Sequence, residues 1–333
     1  MSGLTVYIPA LFSELAGAAG EGAQDWAATR RLLARATVTP HPVESFEHAL
    51  FAAFVGLTGE VPASIPAAAL TAPFDDVAEP SRASMRADPV YLRADPNQIL
   101  LFNNVEIMPS AEEADALLRA LNAGFDDIRF FRGRDPARWY TDLNAQARTS
   151  SPFAASGRSI SGFLPDGDAA RALRQCMNDA QMLLHEHPVN TAREQRGLPP
   201  INSVWLWGAG TRPERLAGPA FVCGNDALSA ALARHAGCDW RAHASASDAI
   251  TACASGAAGL AVIGAPTGAA DRGADTCSVG AFERQWSVPL LNALNRGTLR
   301  RLTIITDRDV YATTPVDRFK FWRRARAREH LHR

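Results

Sequence analysis

Hydrophobic positions along the chain follow two alternating patterns. Short runs rich in β-branched and aromatic residues predict strands at residues 4–8, 201–207, 220–223, 259–263 and 302–306. Apolar residues spaced three or four positions apart predict helices at residues 26–35, 44–57, 173–184, 227–236, 279–294 and from 316 onward. Strands that alternate with such helices are typical of a parallel sheet covered on both faces. The predicted fold class is therefore α/β, with a mostly parallel sheet flanked by helices.

A different pattern, short strand-like runs around one helix, occupies the region after residue 85. Ser110 precedes the helical run and Glu113 follows three positions later, which is the spacing of a capping box. This pattern predicts a small α+β domain. We therefore expect an inserted α+β domain at residues 86–150 and a discontinuous core domain formed by residues 1–85 and 151–333.

Composition adds few constraints to this picture. Hydrophobic residues make up 47% of the 333 residues, charged residues 21%, and the formal net charge is −1, a balance that disfavours a general polyanion binder. The five cysteines never form a CxxC pair, which indicates a reducing environment. The N-terminal segment carries no basic region before its apolar residues, and Pro266 interrupts the most apolar stretch, Ala249–Ala270. We expect a cytoplasmic protein that makes no contact with a membrane.

The most distinctive polar segment lies between a predicted helix and a predicted strand. Pro188 predicts the end of the helix, because the residue before a proline is pushed out of the α region. The polar side chains that follow are Asn190, Arg193, Arg196 and Asn202. Such amides and guanidiniums would suit a phosphorylated or carboxylated ligand, and parallel α/β sheets usually keep their ligand crevice at such a place. Alternatively, the same side chains cap the helix and bind loop carbonyls, an interpretation that spacing alone favours.

Several familiar site motifs are incomplete. Gly208 and Gly210 follow a predicted strand, but Pro213 occupies the third glycine position of a dinucleotide-binding loop. His185 and His187 lack the spacing of four residues that places two imidazoles on one helix face. The sequence contains neither a GxxxxGK[ST] loop nor a GxSxG turn. Local motifs therefore predict no nucleotide site and no metal site, and they give no support to a catalytic triad.

The C-terminal segment RFKFWRRARAREHLHR predicts a basic helix. It carries seven lysines and arginines between Arg318 and Arg333, around Phe319 and Trp322. This helix could contact an acidic partner or nucleic acid. The favoured interpretation is that the aromatic side chains dock on the sheet and the arginines are solvated, so a nucleic-acid partner is not expected.

The segment HPVNTAREQRGLPPINSVWLWGAGTRP resembles the corresponding segment of archaeal-type, cofactor-independent phosphoglycerate mutases, which belong to the alkaline phosphatase superfamily. It is more similar still to the RpfE-type branch of regulatory, phosphoglycerate-mutase-like proteins. Three further stretches resemble the same family in the same order: RADPNQILLFNNVEIMPSAEEADALLRALNAGF, GNDALSAALARHAG and AFERQWSVPLLNAL. The resemblance extends over residues 85–315 and implies an alkaline-phosphatase-like core with an inserted substrate domain.

The departures from the family concern its metal ligands. The active mutases place a metal-binding aspartate directly after the first strand, where this chain has Pro9-Ala10. They place carboxylate and histidine ligands after the strand 259–263, where this chain has Ala265-Pro266. An Asp-His pair follows their last core strand, and Asp307-Arg308 stands here. Asp307 is thus the one vestige of the metal set, and the family's nucleophilic serine has no match.

These departures lead us to expect a protein without catalytic residues, metal or other cofactor that acts in binding or regulation. Its expected partner is a small phosphorylated or carboxylated ligand, held by Asn190, Arg193 and Asn202, or a protein. A first alternative is an active mutase or phosphatase that holds Mn²⁺, Zn²⁺ or Mg²⁺ with the candidate ligands Asn225, Asp226, Asp271, Asp275 and Asp309. A second alternative is a partner-binding module that uses the basic C-terminal helix.

Overall fold

The computed structural model describes residues 3–8, 26–40, 45–55, 60–77, 79–145, 147–242, 245–254, 256–263, 279–306 and 309–320. The strands among these residues are β1 Gly3–Tyr7, β2 Thr37–Pro40, β3 Met85–Asp95, β4 Gln98–Phe102, β5 Phe130–Arg132, β6 Trp139–Thr141, β7 Ser203–Trp207, β8 Phe221–Cys223, β9 Asp239–Arg241, β10 Ala258–Val262, β11 Leu302–Ile305 and β12 Asp309–Thr313. The α-helices are α1 Ala27–Arg35, α2 Phe46–Val55, α3 Ala67–Thr71, α4 Asn104–Ile107, α5 Ala111–Gly124, α6 Pro152–Ala155, α7 Ala170–His185, α8 Pro188–Gln195, α9 Ala227–His235, α10 Ala246–Ala254, α11 Val279–Phe282 and α12 Val288–Arg296. Short 3₁₀ helices span Ala72–Phe74, Pro80–Arg82, Ile160–Gly162 and Pro315–Phe319.

The described residues form two compact units. The core unit contains Met1–Thr58, Arg215–Thr267 and Asp271–Arg333, and the inserted unit contains Gly59–Glu214. The inserted unit is wider than the α+β domain expected at residues 86–150. It extends further because β7 pairs with β3, and because α7 packs its apolar face into the same hydrophobic cluster as α5.

The core unit is built on a seven-stranded sheet with the order β2-β12-β11-β1-β10-β8-β9. The five strands from β11 to β9 are parallel, whereas β12 and β2 continue the sheet in antiparallel fashion. Leu4 of β1 is aligned with Gly259 of β10 and Leu302 of β11. Apolar side chains of α1, α10 and α12 join those of the central strands in one buried cluster. The predicted α/β class, with a mostly parallel sheet flanked by helices, is confirmed.

The long helix predicted at residues 279–294 contains a π-helical turn, Glu283–Ser287, between α11 and α12. The backbone N–H of Val288 donates to the carbonyl of Glu283, five residues earlier. Pro289 has no N–H, and its ring would collide with the carbonyl four residues earlier in a regular helix. The wider turn removes that collision.

The carboxylate of Glu283 holds the beginning of α1. It accepts hydrogen bonds from the N–H groups of Ala28 (2.6 Å) and Thr29 (2.9 Å), and from the Thr29 hydroxyl (2.6 Å). These backbone donors have no partner within their own helix, and a carboxylate also suits the positive end of the helix dipole. The π-helical turn therefore aims a buried anion at the start of a helix more than 250 positions away in the chain.

The inserted unit contains an antiparallel sheet with the order β4-β3-β6-β5. The strand β7 also pairs with β3, on the edge opposite β6. The capping box predicted at the start of α5 is confirmed. Ser110 Oγ accepts from the N–H of Glu113 (3.2 Å), and the Glu113 carboxylate accepts from the N–H of Ser110 (3.0 Å). Within the described ranges of both units, no helix has the length and apolarity that crossing a membrane requires.

Candidate functional site

The polar segment after α7 is helical and is not the predicted loop. Pro188 is the first residue of α8, where its missing N–H costs nothing because that position has no intrahelical acceptor. His187 precedes it as N-cap, and its Nδ1 accepts from the N–H of Val189 (3.2 Å). The same proline thus ends α7 and begins α8, and it carries Asn190 and Arg193 on a helix.

Asn190 is 2% exposed and has all its hydrogen bonds inside the inserted unit. Its amide nitrogen donates to the carbonyls of Leu184 (2.8 Å) and Ile201 (2.9 Å). Its amide oxygen accepts from the N–H of Ile201 (2.7 Å). The side chain caps the C-terminus of α7 and fixes the chain just before β7.

Arg193 has no exposed surface, although it carries a full positive charge. Its Nε donates to the carbonyl of Pro199 (2.8 Å), Nη1 to the carboxylate of Glu113 (2.5 Å), and Nη2 to the carbonyl of Ile107. Burial opposes the charge on Glu113, but the hydrogen bond from Ser110 and the nearby guanidiniums hold its pKa below its usual range. Arg193 therefore joins α8 to α4, α5 and the approach to β7.

Asn202 completes the pairing between β7 and β3. Its amide oxygen accepts from the N–H of Leu92 (2.8 Å), and its nitrogen donates to the carbonyl of Leu92 (2.9 Å). The strand β7 belongs to the antiparallel sheet of the inserted unit and is not a strand of the parallel sheet. The contacts of Asn190, Arg193 and Asn202 correspond to the capping alternative and not to the expected ligand-binding role.

The carboxyl edge of the core sheet is the place where ligands of a parallel α/β sheet collect. Three parallel neighbours, β11, β1 and β10, end at this edge. The residue pairs at which the sequence departs from the family, Pro9-Ala10, Ala265-Pro266 and Asp307-Arg308, lie outside the described residues. Within the described part of the chain, no three His, Cys, Asp or Glu side chains are grouped closely enough to hold a metal ion.

The alternative metal ligands are distributed along this edge. Asp226 follows β8 and Asp309 begins β12, and these two strands are four steps apart in the sheet. Four interstrand steps of about 4.8 Å separate them by about 19 Å, whereas paired catalytic metals lie about 4 Å apart. Asp226 and Asp309 therefore cannot share a metal pair. Asp271 and Asp275 lie outside the described residues.

Asp226 has an unusual environment for a carboxylate. Its Oδ1 accepts from the N–H of Ser229 (2.7 Å) as the N-cap of α9, while the buried Oδ2 has no hydrogen-bond partner among the described residues. Burial raises the pKa of Asp226, the hydrogen bonds of Ser229 oppose the rise, and the nearby carboxylate of Glu47 adds to it. Glu47 is itself buried on α2, so two carboxylates share this part of the core unit.

Next to Glu47 in the sequence, a hydroxyl and an imidazole contact each other at the start of α2. Ser45 Oγ is 2.8 Å from His48 Nδ1, and the ring of Phe46 lies 5.1 Å from that of Tyr7, the last residue of β1. A hydroxyl bonded to an imidazole is the arrangement of an activated nucleophile, but Ser45 Oγ also caps the N–H of His48 (3.4 Å). The contact between α2 and α9 brings these residues to one part of the core unit, and we call Ser45, Glu47, His48 and Asp226 the edge cluster. The sequence analysis missed all of these except Asp226, because residues so distant in the chain carry no common spacing.

The inserted unit contains a buried charged network that the sequence analysis also missed. Arg86 donates to Asp88 Oδ1 through Nε (3.0 Å) and Nη2 (2.5 Å), and Asp88 Oδ2 accepts from Trp207 Nε1 (2.8 Å). The Arg86 guanidinium lies 5.1 Å from the ring centroid of Tyr140 and 5.4 Å from that of Trp207. Arg86 and Asp88 alternate with Met85 and Ala87 along β3, a local signal that could have revealed them.

A second ion pair continues this network. Arg138 binds Asp75 through Nη2 (2.6 Å) and Nε (2.8 Å), and the Tyr140 hydroxyl donates to the same carboxylate (2.8 Å). Burial raises the pKa of Tyr140 above its usual range, which keeps the phenol neutral as a donor. Each charge of the network therefore has a partner among the described residues of the inserted unit.

The match to a known protein family lies within the inserted unit. Residues 75–190 match the family model of 2,3-bisphosphoglycerate-independent phosphoglycerate mutase. The mutase of this name from Methanosarcina barkeri is 31% identical over 110 residues, which is 32% of this chain and 28% of that protein. The mutase from Methanothrix thermoacetophila is 48% identical over 62 residues, which is 19% of this chain and 16% of that protein. The matched part thus spans less than a third of either relative's length.

A solved structure is similar over more of the chain, but its sequence identity and its TM-score are low. The cofactor-independent phosphoglycerate mutase from Thermoplasma acidophilum is similar over 94% of this chain and 90% of its own, with 15% identity and a TM-score of 0.39. The shared sequence therefore carries the relationship. Over residues 75–190 this chain is related to the 2,3-bisphosphoglycerate-independent phosphoglycerate mutases, and the resemblance predicted from its sequence is confirmed there.

Proposed function

We propose that this chain is a phosphoglycerate-mutase-like protein that lacks two-metal catalysis and acts in binding or regulation. One observation carries the proposal: β11, β1 and β10 are parallel neighbours, so their carboxyl ends lie together at the edge where such enzymes hold metals. The residues that follow β1 and β10 in the sequence include Pro9-Ala10 and Ala265-Pro266. None of these four has a side chain that binds Mn²⁺, Zn²⁺ or Mg²⁺.

The charge of the remaining pair supports the same proposal. Asp307 is the one carboxylate at a position matching the family's metal set, and Arg308 follows it directly in the sequence. A guanidinium keeps its positive charge at every relevant pH and repels a dication at short range. A single carboxylate next to such a charge is a poor substitute for the several ligands that two metals require.

Metal analysis combined with an activity assay tests the proposal. In protein purified without chelator, we expect substoichiometric Mn, Zn and Mg, no interconversion of 3- and 2-phosphoglycerate, and no rise in melting temperature with Mn²⁺. The Methanosarcina barkeri mutase, prepared in the same way, is the positive control. About two metal ions per chain together with mutase turnover would refute the proposal.

The edge cluster favours a second candidate, an active mutase or phosphatase with divergent ligands. Its support is the contact between Ser45 and His48, which flank the buried carboxylate of Glu47 in the sequence. Mn²⁺, Zn²⁺ or Mg²⁺ would then be the cofactor, although no three described His, Cys, Asp or Glu side chains are grouped closely enough to hold it. This candidate requires turnover that His48→Ala abolishes and that His185→Ala, a change at an exposed histidine of α7, leaves intact. An inactive wild-type protein in the assays above eliminates it.

The finer assignments are also proposals. We place the protein in the RpfE-type branch as a bacterial regulator in the cytoplasm, in agreement with cysteines that never form a CxxC pair. Its partner would be a protein or a small phosphorylated or carboxylated compound. Asn190, Arg193 and Asn202 are committed to internal hydrogen bonds, so such a compound would bind elsewhere.

A further inference from the structure

The start of α8 is held by a histidine, which is an unusual N-cap. Most helices are capped by Ser, Thr, Asp or Asn, whose side-chain oxygen accepts a hydrogen bond from a free N–H group of the first turn. Here the acceptor is Nδ1 of the His187 imidazole, which binds the N–H of Val189 (3.2 Å). Pro188 has no N–H, so Val189 is the first residue of α8 that can donate. The cap of α8 therefore depends on an imidazole nitrogen.

This hydrogen bond determines which nitrogen of the ring carries the proton. A ring nitrogen that accepts has no proton, so neutral His187 holds its proton on Nε2. Protonation of the ring adds a hydrogen at Nδ1, the atom that receives the N–H of Val189. The acceptor is then lost and two donors face each other, whereas the oxygen of Ser or Asn accepts at every pH. The cap of α8 is thus present only while His187 is neutral.

A positive charge near His187 disfavours protonation of the ring. It belongs to Arg119 on α5, the helix that packs against α8. Desolvation by partial burial and the charge of Arg119 both lower the pKa of His187 from its ordinary value of 6.5. The neutral ring, which accepts the hydrogen bond, is therefore the form present at neutral pH.

The carboxylates of the surrounding helices do not offset this effect. Those on α5 have partners of their own: Glu113 is bound by Arg193 and Arg196, Asp115 by Arg132, and Glu112 accepts a hydrogen bond from Ser110. Glu186, which follows α7, and Glu194 on α8 are exposed, and neither carboxylate forms an ion pair with a described residue. Among the described residues, no carboxylate therefore stabilises a protonated His187.

The first turn of α8 connects two other elements of the inserted unit. A helix of eight residues is too short to be stable alone, so its contacts determine whether it stays in place. Asn190 is the buried residue of the first turn, and its side chain links the carbonyl of Leu184 in α7 to Ile201 just before β7. The cap and Asn190 act on the same turn. Loss of the cap would therefore loosen the connection from α7 to β7.

We propose that His187 is a proton-sensitive cap, which holds the first turn of α8 in place at neutral pH and releases it on acidification. Because the pKa of His187 is lower in the folded than in the unfolded protein, the unfolded state binds the proton more readily. The stability that the cap contributes is present above pH 6.5 and is lost as the pH falls through the folded pKa. This role of His187 does not depend on loss of the metal centre.

Amide hydrogen exchange of the full chain at pH 8 and pH 5, corrected for the intrinsic exchange rate at each pH, tests this role. We expect the protection factor of the Val189 N–H to fall about fivefold or more at pH 5, which is the effect of losing an N-cap. In His187→Asn, whose amide oxygen accepts at both pH values, the protection factor should not fall. The N–H of Glu113, which is held by the hydroxyl of Ser110, is the internal control and should keep its protection.

His185→Gln is the matched control, because it removes an exposed imidazole two positions earlier and should keep the pH response of the wild type. The role of His187 is overturned if Val189 is equally protected at pH 8 and pH 5, or if His187→Asn loses as much protection as the wild type does. Nitrogen NMR of the wild-type ring gives a test that does not depend on any variant. At pH 8 the Nδ1 atom of His187 should carry no proton, and a proton found there would also overturn the role.

Discussion

Arg193 shows how one residue type suits two opposite roles. A guanidinium among amides between two secondary-structure elements suggests an anion site, yet the same five donors satisfy buried carbonyls equally well. In this protein Arg193 is fully buried, whereas Arg196, its neighbour one turn away, binds the same Glu113 carboxylate with 55% of its side chain exposed. Burial separates a structural cation from an accessible one, and burial depends on contacts that the local sequence does not encode.

Replacement of Arg193 by lysine should therefore reduce stability and not merely ligand affinity. Lysine keeps the charge but cannot direct donors at Pro199, Ile107 and Glu113 together. We expect Arg193→Lys to lower the free energy of unfolding by about 2–4 kcal/mol, because buried carbonyls lose their donors. Arg196→Lys should cost less than about 0.5 kcal/mol. Urea denaturation measures the free energy of unfolding of both variants. Equal losses would contradict the structural role of Arg193.

The burial of Asp226 leads to a prediction about how stability depends on pH. Burial raises its pKa in the folded protein, so the folded state binds a proton more readily than the unfolded state does. Stability from this group is therefore lost as the pH rises above the ordinary aspartate range near 4. Asp226→Asn keeps the cap on Ser229 and removes the buried charge, so the variant should be more stable than wild type at pH 7. The advantage should shrink toward pH 4.

Denaturant unfolding at several pH values measures this difference. The opposing effect is loss of a negative charge at the start of α9, worth about 0.3–1 kcal/mol. Asp226→Ala is the control, because it removes the cap as well and should cost about 1 kcal/mol relative to Asp226→Asn. A variant Asp226→Asn that is less stable than wild type at pH 7 would show that the carboxylate has a compensating partner.

At the scale of elements, periodicity predicted the long, amphipathic segments and missed the short ones. The helices α1, α2, α9 and α12 and the capping box of α5 followed from spacing, whereas the helix predicted from residue 316 is a 3₁₀ helix where it is described. The strand β2 was not predicted, because all its residues are exposed and show no alternation of buried and exposed positions. The strand β3 was recognised only in part, because Pro89 interrupts it. At Pro89 the strand pairs only with β7, since β6 pairs with residues 85 and 86 and β4 with residues 91–95, so a missing N–H is tolerated.

The edge cluster illustrates the same limit for a site. Asp226 could be named from the sequence because it follows a strand, but nothing in the sequence places Glu47 near it. Their proximity arises because α2 packs against α9, a helix distant in the chain. Spacing could not identify the protein family, but resemblance of whole segments did. The match of residues 75–190 to the family model confirms that resemblance.

At the scale of the whole molecule, the division into two units determines which segments fold together. The sequence placed the second boundary of the inserted domain at residue 150, where Gly, Ser and Pro residues begin a connecting segment. The structure carries the inserted unit on to Glu214, because the apolar faces of α7 and β7 complete its hydrophobic cluster. Local composition marks a loop, but long-range pairing determines whether that loop is also a domain boundary.

This division predicts that residues 59–214 fold alone and that residues 86–150 do not. The longer fragment keeps β7 on β3 and keeps Leu173, Ala180 and Trp205 in the hydrophobic cluster. The shorter fragment exposes an edge of β3 and lacks the apolar side chains that α7 and β7 add to the hydrophobic cluster. A core this incomplete does not support cooperative folding. We expect the longer fragment to show a sigmoidal urea transition with near-ultraviolet tryptophan signals, and the shorter one to show neither. Cooperative unfolding of residues 86–150 would mean that β7 and α7 only cover a domain that is already complete.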